Sequence, residues 1–173
     1  MTQEEIKKLI EVITLQIKIL QIQLQLMLGQ KVTVPNLPAP DKIIIHHGGG
    51  WLDFDGVNEW HRQKWQFKSS LGFYAGYTYF IERDGTIKQA RRDNEEGAHT
   101  LGQNKSSIGI CLMGNGEERD FTPEQYKSLK ELLERKRPEY GISKHQVYGH
   151  QNFAATLCPS RPLYTWMLQY KFS

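Results

Sequence analysis

Ile43-Ile44-Ile45-His46-His47 is the stretch from which the fold of this 173-residue chain can be read. A short, unbroken apolar run suits a strand buried on both faces of a sheet. The expected strand spans Lys42 to His47. Successive strand residues face opposite sides, so only one histidine of the pair can look into any given site. Histidine is also the commonest metal ligand, which makes the end of this strand a candidate for chemistry.

Downstream, Val57 to Phe67 reads as a helix, and Tyr77 to Glu82 as a strand closed by the turn Arg83-Asp84-Gly85-Thr86. Tyr77 and Tyr79 are then expected on one face. Ser107 to Met113 is a second buried strand. Thr122-Pro123-Glu124-Gln125 combines a capping-box pattern with proline at the first helical position, so a helix starts there and runs to about Lys136. A short strand over Gln146–Gly149 and a closing helix over Leu163–Tyr170 complete the pattern. Strands interleaved with helices predict an α/β sheet covered by helices, in one domain over residues 42–173. A hydrophobic content of 39% and a charged content of 24% sit near globular averages, which excludes wholesale disorder or a fibrous repeat.

Upstream lies a different kind of sequence. Ile6, Ile13, Leu20 and Met27 recur at heptad spacing, interleaved with Ile10, Ile17 and Leu24, which is a coiled-coil seam. A second set, Leu9, Val12, Leu15, Ile19, Ile22 and Leu26, widens the stripe beyond what a two-stranded coil buries. Residues 1–30 are therefore expected to form an amphipathic, coiled-coil-like helix that builds a homo-oligomer. Its alternative is a helix docked on its own domain, and residues 21–26 also alternate with the period of a strand. Gly29 ends the helix, and Pro35, Pro38 and Pro40 mark a linker over 31–41. Glu4, Glu5, Lys7, Lys8, Glu11 and Lys18 interrupt the apolar residues, so neither a signal peptide nor a membrane span is expected.

The net charge of +3 lies entirely beyond residue 41, since four acids and four bases balance through Asp41. No dense Lys/Arg run marks a nucleic-acid surface, and nucleic acid is not expected as a partner. Two cysteines, Cys111 and Cys158, are too few for a disulfide framework. Cys111 lies in an apolar strand and reads as buried, whereas Cys158 follows a loop. Catalytic zinc needs three protein ligands and one open position. Histidines at strand ends, His46 and His150, with Cys158 could supply the three, though each is unspecific alone.

Five segments in one order raise the specificity: IIIHH (43–47), GYTYFIERDGTI (76–87), GAHTLGQNKSSIGICLMGN (97–115), FTPEQ (121–125) and YGHQNFAATLCPS (148–160). Together they resemble the zinc-dependent N-acetylmuramoyl-L-alanine amidases, which include amidase-type phage lysozymes and peptidoglycan recognition proteins. The resemblance covers roughly residues 42–170 and implies a mixed central β-sheet flanked by helices. It implies a peptidoglycan amidase that cuts between N-acetylmuramic acid and L-alanine. His46, His150 and Cys158 match the ligands of Zn2+, and His47 is left a structural or supporting role. Tyr77 matches a tyrosine of the catalytic cleft, and His99 and Asn104 fall where the family lines the substrate groove.

At Thr156 the sequence departs from the phage enzymes, which carry lysine there, and agrees with catalytic recognition proteins; a hydroxyl can still donate to an oxyanion. Gly48-Gly49-Gly50 lacks the Lys-Ser/Thr of a phosphate loop and reads as a flexible cleft rim. Trp51, Trp60 and Trp65 could stack on sugar or pack a core. Two other classes compete with the enzyme: a peptidoglycan-binding module that does not cut, and a coiled-coil assembly protein carrying an amidase-like domain. The expected setting is that of an endolysin, made in the cytoplasm and acting on the cell wall after release.

Overall fold

A computed structural model describes residues 2–7, 9, 10, 13, 16, 17 and 39–172. Its elements are β1 (Lys42–His47), α1 (Phe54–Trp65), β2 (Tyr79–Ile81), β3 (Ile87–Gln89), β4 (Ser107–Leu112), α2 (Pro123–Tyr140), β5 (Val147–Gly149) and α3 (Arg161–Phe172), with 3-10 turns at Lys144–Gln146 and His150–Asn152. The sheet order is β3-β2-β4-β1-β5. β1 runs parallel to both β4 and β5, β2 is parallel to β4, and β2 and β3 pair antiparallel. The sheet is therefore mixed and flanked by helices, as expected.

Strand alternation divides the apolar residues between two layers. Ile43, Ile45, Ile108, Ile110 and Leu112 pack with Leu129 and Leu133 of α2 and Leu163 and Met167 of α3. Phe80, Cys111 and Met113 pack with Phe54 and Val57 of α1. Ile43, Ile44 and Ile45 are wholly buried, which fits the apolar run at β1; burying one such side chain is worth about 1.5–3 kcal/mol.

Several boundaries move, for local reasons. α1 begins three residues before the expected Val57, because the Asp53 side chain accepts from the Gly56 N–H and caps the helix; Gly56 hides this start from a propensity reading. It ends where Gln66 turns left-handed at φ 51°. α2 passes through Pro138 to Tyr140 and stops at Gly141, whose N–H bonds back to the last turn. β3, absent from the sequence reading, is the three-residue return arm of the hairpin after the Asp84-Gly85 turn. β2 starts at Tyr79, so Tyr77 lies in the preceding bend. The expectation that Tyr77 and Tyr79 share a face is corrected by this: Tyr79 joins the α2–α3 layer and Tyr77 the α1 layer.

The chain divides into two compact units, Met1–Asn36 and Leu37–Ser173. In the first unit residues 3–7, 9, 10, 13, 16 and 17 are helical, and Thr2 and Glu5 exchange the two hydrogen bonds of a capping box. Ile6, Leu9, Ile13 and Ile17 are exposed. Heptad positions Leu20, Leu24 and Met27, the alternating stretch 21–26, the stop at Gly29 and linker residues 31–38 lie outside the described residues. Among the described residues no helix is long and apolar enough to cross a membrane.

The predicted capping box does more than start α2. Gln125 is wholly buried: its Oε1 accepts from Thr122 N–H at 3.2 Å, while Nε2 donates to the carbonyls of Ile81 at 3.1 Å and Met113 at 2.9 Å. One side chain thus joins the helix start to the ends of β2 and β4. Gln125→Glu keeps the capping acceptor but has no donor for the two carbonyls. Both Gln125→Glu and Gln125→Ala should lose about 2–4 kcal/mol in urea unfolding, whereas exposed Glu124→Ala should stay within about 0.5 kcal/mol.

Candidate metal centre

His46 is the last fully buried residue of β1, and its partner strands fix where it points. His150 follows directly on β5, the strand bonded to the other edge of β1. Cys158 arrives on the loop between the second 3-10 turn and α3, where its carbonyl accepts from Gln151 N–H at 2.8 Å. One ligand atom from each of His46, His150 and Cys158 lies within 4.8 Å of the others. His46 Nδ1 stands 3.7 Å from Cys158 Sγ. Two donors at ordinary zinc–nitrogen and zinc–sulfur lengths, subtending a tetrahedral angle, would be about 3.6 Å apart. The donor set and its spacing therefore fit a tetrahedral metal ion with one position left over.

Behind His46 is a chain of polar contacts. The tautomer that frees Nδ1 carries its proton on Nε2, which has His99 Nδ1 at 3.1 Å and Thr100 Oγ1 at 3.3 Å. His99 Nε2 in turn is 3.4 Å from Ser107 Oγ, and that hydroxyl donates to Gln103 O at 2.8 Å. Such outer partners hold a ligating imidazole in one tautomer and one orientation. Asn104 Oδ1 accepts from the N–H groups of His99 and Thr100, at 2.9 and 2.8 Å, and holds that loop in shape. His99 and Asn104, expected along the substrate groove, are thus engaged inside the protein. Thr100 and Ser107 were missed by sequence reasoning, yet a signal was present: Gly109 sits within buried β4, where glycine is out of place. A Cβ there would meet the His99 ring at 2.6 Å.

Burial sets the protonation of the site. It holds the His46 imidazole well below its usual range, aided by His99 and His150. His99 is pushed down to about 3 by burial, and His150 is lowered for the same reason. All three rings are neutral near pH 7 and offer lone pairs. Burial pushes the Cys158 thiol up to about 12, opposed by the His47 N–H that it accepts from at 3.4 Å, so a cation is what would make the thiolate favourable. His47, half-buried, accepts from Gly116 N–H through Nδ1 at 3.2 Å, which agrees with a structural role. Cys111 is wholly buried in β4, as expected.

Tyr77 lies against the donors, its ring centroid 5.0 Å from that of His46. Burial keeps its phenol well above the usual range. Thr156 Oγ1 accepts from Cys158 N–H at 3.2 Å, bracing the loop that carries the thiol. Tyr77 also walls a cavity of about 260 Å3 with Gly48, Leu52, Trp60, His61 and Met113. Trp60 is thus a half-exposed wall of this cavity rather than core.

Two imidazoles and a thiol converging beside a cavity, at the carboxyl end of parallel strands, define a hydrolase-like α/β domain with a site able to hold a metal. Comparison with known proteins gives the particular family: the N-acetylmuramoyl-L-alanine amidase family matches residues 36–161. An endolysin of Klebsiella phage KP32 is 30% identical over 145 residues, spanning 79% of this chain and 91% of the phage protein. Peptidoglycan-recognition protein SD of Drosophila melanogaster is 31% identical over 137 residues, 77% of this chain and 74% of that protein. Among solved structures, the N-acetylmuramoyl-L-alanine amidase LysC from Clostridium intestinale superposes with a TM-score of 0.65 at 27% identity, covering 80% of this chain and 94% of that one. The chain belongs to the N-acetylmuramoyl-L-alanine amidase family, whose substrate is peptidoglycan.

Because His99 touches His46 and not the metal position, its removal should act through orientation. His99→Phe should weaken metal binding about 10–100-fold, as competition with a chromophoric chelator would measure. Cys111→Ser should leave the affinity unchanged.

Proposed function

We propose that this chain is a zinc amidase that hydrolyses the bond between N-acetylmuramic acid and L-alanine, with His46, His150 and Cys158 holding the ion. The observation that carries the reading is the convergence of those three donors beside the Tyr77 cavity. When bound in a three-ligand site of this kind, zinc supplies Lewis acidity and a nucleophile available near neutral pH.

The chain's own residues would do the rest. His99 accepts the His46 Nε2 proton and keeps Nδ1 free for the ion. Tyr77 stays protonated because it is buried, and so remains a donor for the oxygen that gains charge as the amide carbonyl becomes tetrahedral. Thr156 spends its acceptor lone pair on Cys158 N–H and keeps its own proton for donation. Asn104 holds the loop that carries His99, so both would position His46 from behind rather than touch the substrate. Relatives from phages support an endolysin that reaches the wall after release.

A non-cutting recognition module is the second reading, favoured by the recognition-protein relatives. The metal site separates the two. Cys158→Ser should lose zinc and all release of peptide from peptidoglycan while remaining folded. Tyr77→Phe should keep zinc and lose about 10²–10³-fold in rate, the scale of one oxyanion donor. Release of free stem peptide by Cys158→Ser at the unaltered rate would overturn Cys158 as a ligand, and no release by the unaltered protein would favour the non-cutting module.

Residues 1–30 are proposed as an oligomerisation helix and 31–41 as a linker to a catalytic domain over 42–173. Support comes from the heptad pattern and from the exposed Ile6, Leu9, Ile13 and Ile17, since soluble monomers rarely leave a continuous apolar stripe in water. Light scattering should give an oligomer for the full chain and a monomer for a chain starting at Asp41, with equal rates on small soluble substrate.

A further inference from the structure

Beside the Tyr77 cavity is a second cleft, of about 210 Å3, walled by Trp51, Asp53, Glu82, Arg83 and Gly114; it shares Leu52 and Met113 with the first. We propose that this cleft is a carboxylate subsite, in which Arg83 binds a free carboxylate on the peptide side of the substrate; the identity of that substrate rests on the amidase reading.

Arg83 follows β2, and its backbone is fixed from the other side of the turn, its carbonyl accepting from Thr122 Oγ1 at 2.7 Å. From that anchor its guanidinium reaches over Trp51, 5.4 Å from the ring centroid. Nη1 is buried and, among the described residues, has no hydrogen-bond partner. A buried charged donor left unmatched is costly, so a fold that keeps one invites an acceptor.

A second cation stands close by and favours an anionic acceptor. The Arg119 guanidinium lies 5.3 Å from the same Trp51 ring, so two cations share one indole. The indole is itself fixed by Nε1 donating to Glu118 Oε2 at 2.9 Å. The nearby carboxylates are occupied elsewhere: Glu118 by Trp51 and Asn115, Glu82 by Phe54 N–H and Lys88, and Asp53 by its capped helix. Gly114, at φ +123°, lets the guanidinium and the indole pack against its backbone, since a Cβ there would stand 3.1 Å from Nη1 and 3.5 Å from the indole.

Chemistry then selects the part of the substrate. In an N-acetylmuramoyl-L-alanine linkage the sugar's carboxyl is consumed in the amide and its amino group is acetylated. The sugar side is neutral, and the anionic oxygens lie on the peptide. Arginine is suited to such a group because its donors remain charged at any relevant pH.

The test uses the full chain and a synthetic peptide beginning with L-alanine, which carries no scissile muramoyl bond, compared with the same peptide amidated at every carboxylate. Calorimetry should show the free-carboxylate peptide binding about tenfold more tightly, the scale of one charge-assisted hydrogen bond. Arg83→Met should erase the preference by weakening the free form alone. Arg83→Gln, which keeps a polar end over Trp51, should erase it too and serves if the methionine variant is unstable. Equal affinities in the unaltered protein, no binding of either peptide, or a preference that survives both substitutions would each overturn the subsite. Peptide release from peptidoglycan, measured alongside, reports separately on the amidase reading, which could fail while the preference stands.

Discussion

Strand β1 is bonded along both edges, to β4 and to β5, and covered on both faces, so its backbone has almost no freedom at the point where His46 emerges. The site inherits this rigidity. His46 needs one nitrogen free and one protonated, and buried imidazoles tolerate only neutral forms, so burial and the His99 contact act in the same direction. His150, on the neighbouring strand, comes within reach because parallel strands present their carboxyl ends on one side. That is also where open α/β sheets commonly bind ligands.

Cys158 is the member under least control from the sheet. Its loop is braced by hydrogen bonds with Gln151, Thr156 and His47, and desolvation favours the thiol. A cation placed between it and the imidazoles would reverse that preference, tying loop order to metal occupancy. Two glycines near the site act alike. Gly109 makes room for the His99 ring, and Gly114 for the Arg83 guanidinium and the Trp51 indole, so in both places a side chain packs where a Cβ would otherwise stand.

Much of this was legible in the sequence. The apolar run before His46 and the Thr122–Gln125 capping pattern rest on local signals, and each lies in the structure as read, while the donor atoms of His46, His150 and Cys158 lie within 4.8 Å of one another. What stayed hidden depends on tertiary contact. Nothing local says that His99 turns inward to His46, that Gln125 reaches two strand ends, or that Tyr77 falls outside β2 and takes the opposite face. Arg83 looked like an ordinary turn residue, because an unmatched donor is visible only once its neighbours are in place.

The register Ile43↔Val147 joins residues about a hundred positions apart, and the three converging side chains span 46 to 158. Contacts of such long sequence separation form late, after loop closure has been achieved elsewhere in the chain. During synthesis, then, an ion could meet the complete donor set only when nearly the whole catalytic domain had already emerged. Metal acquisition in this architecture would mark the end of folding, and a half-made enzyme would remain chemically silent.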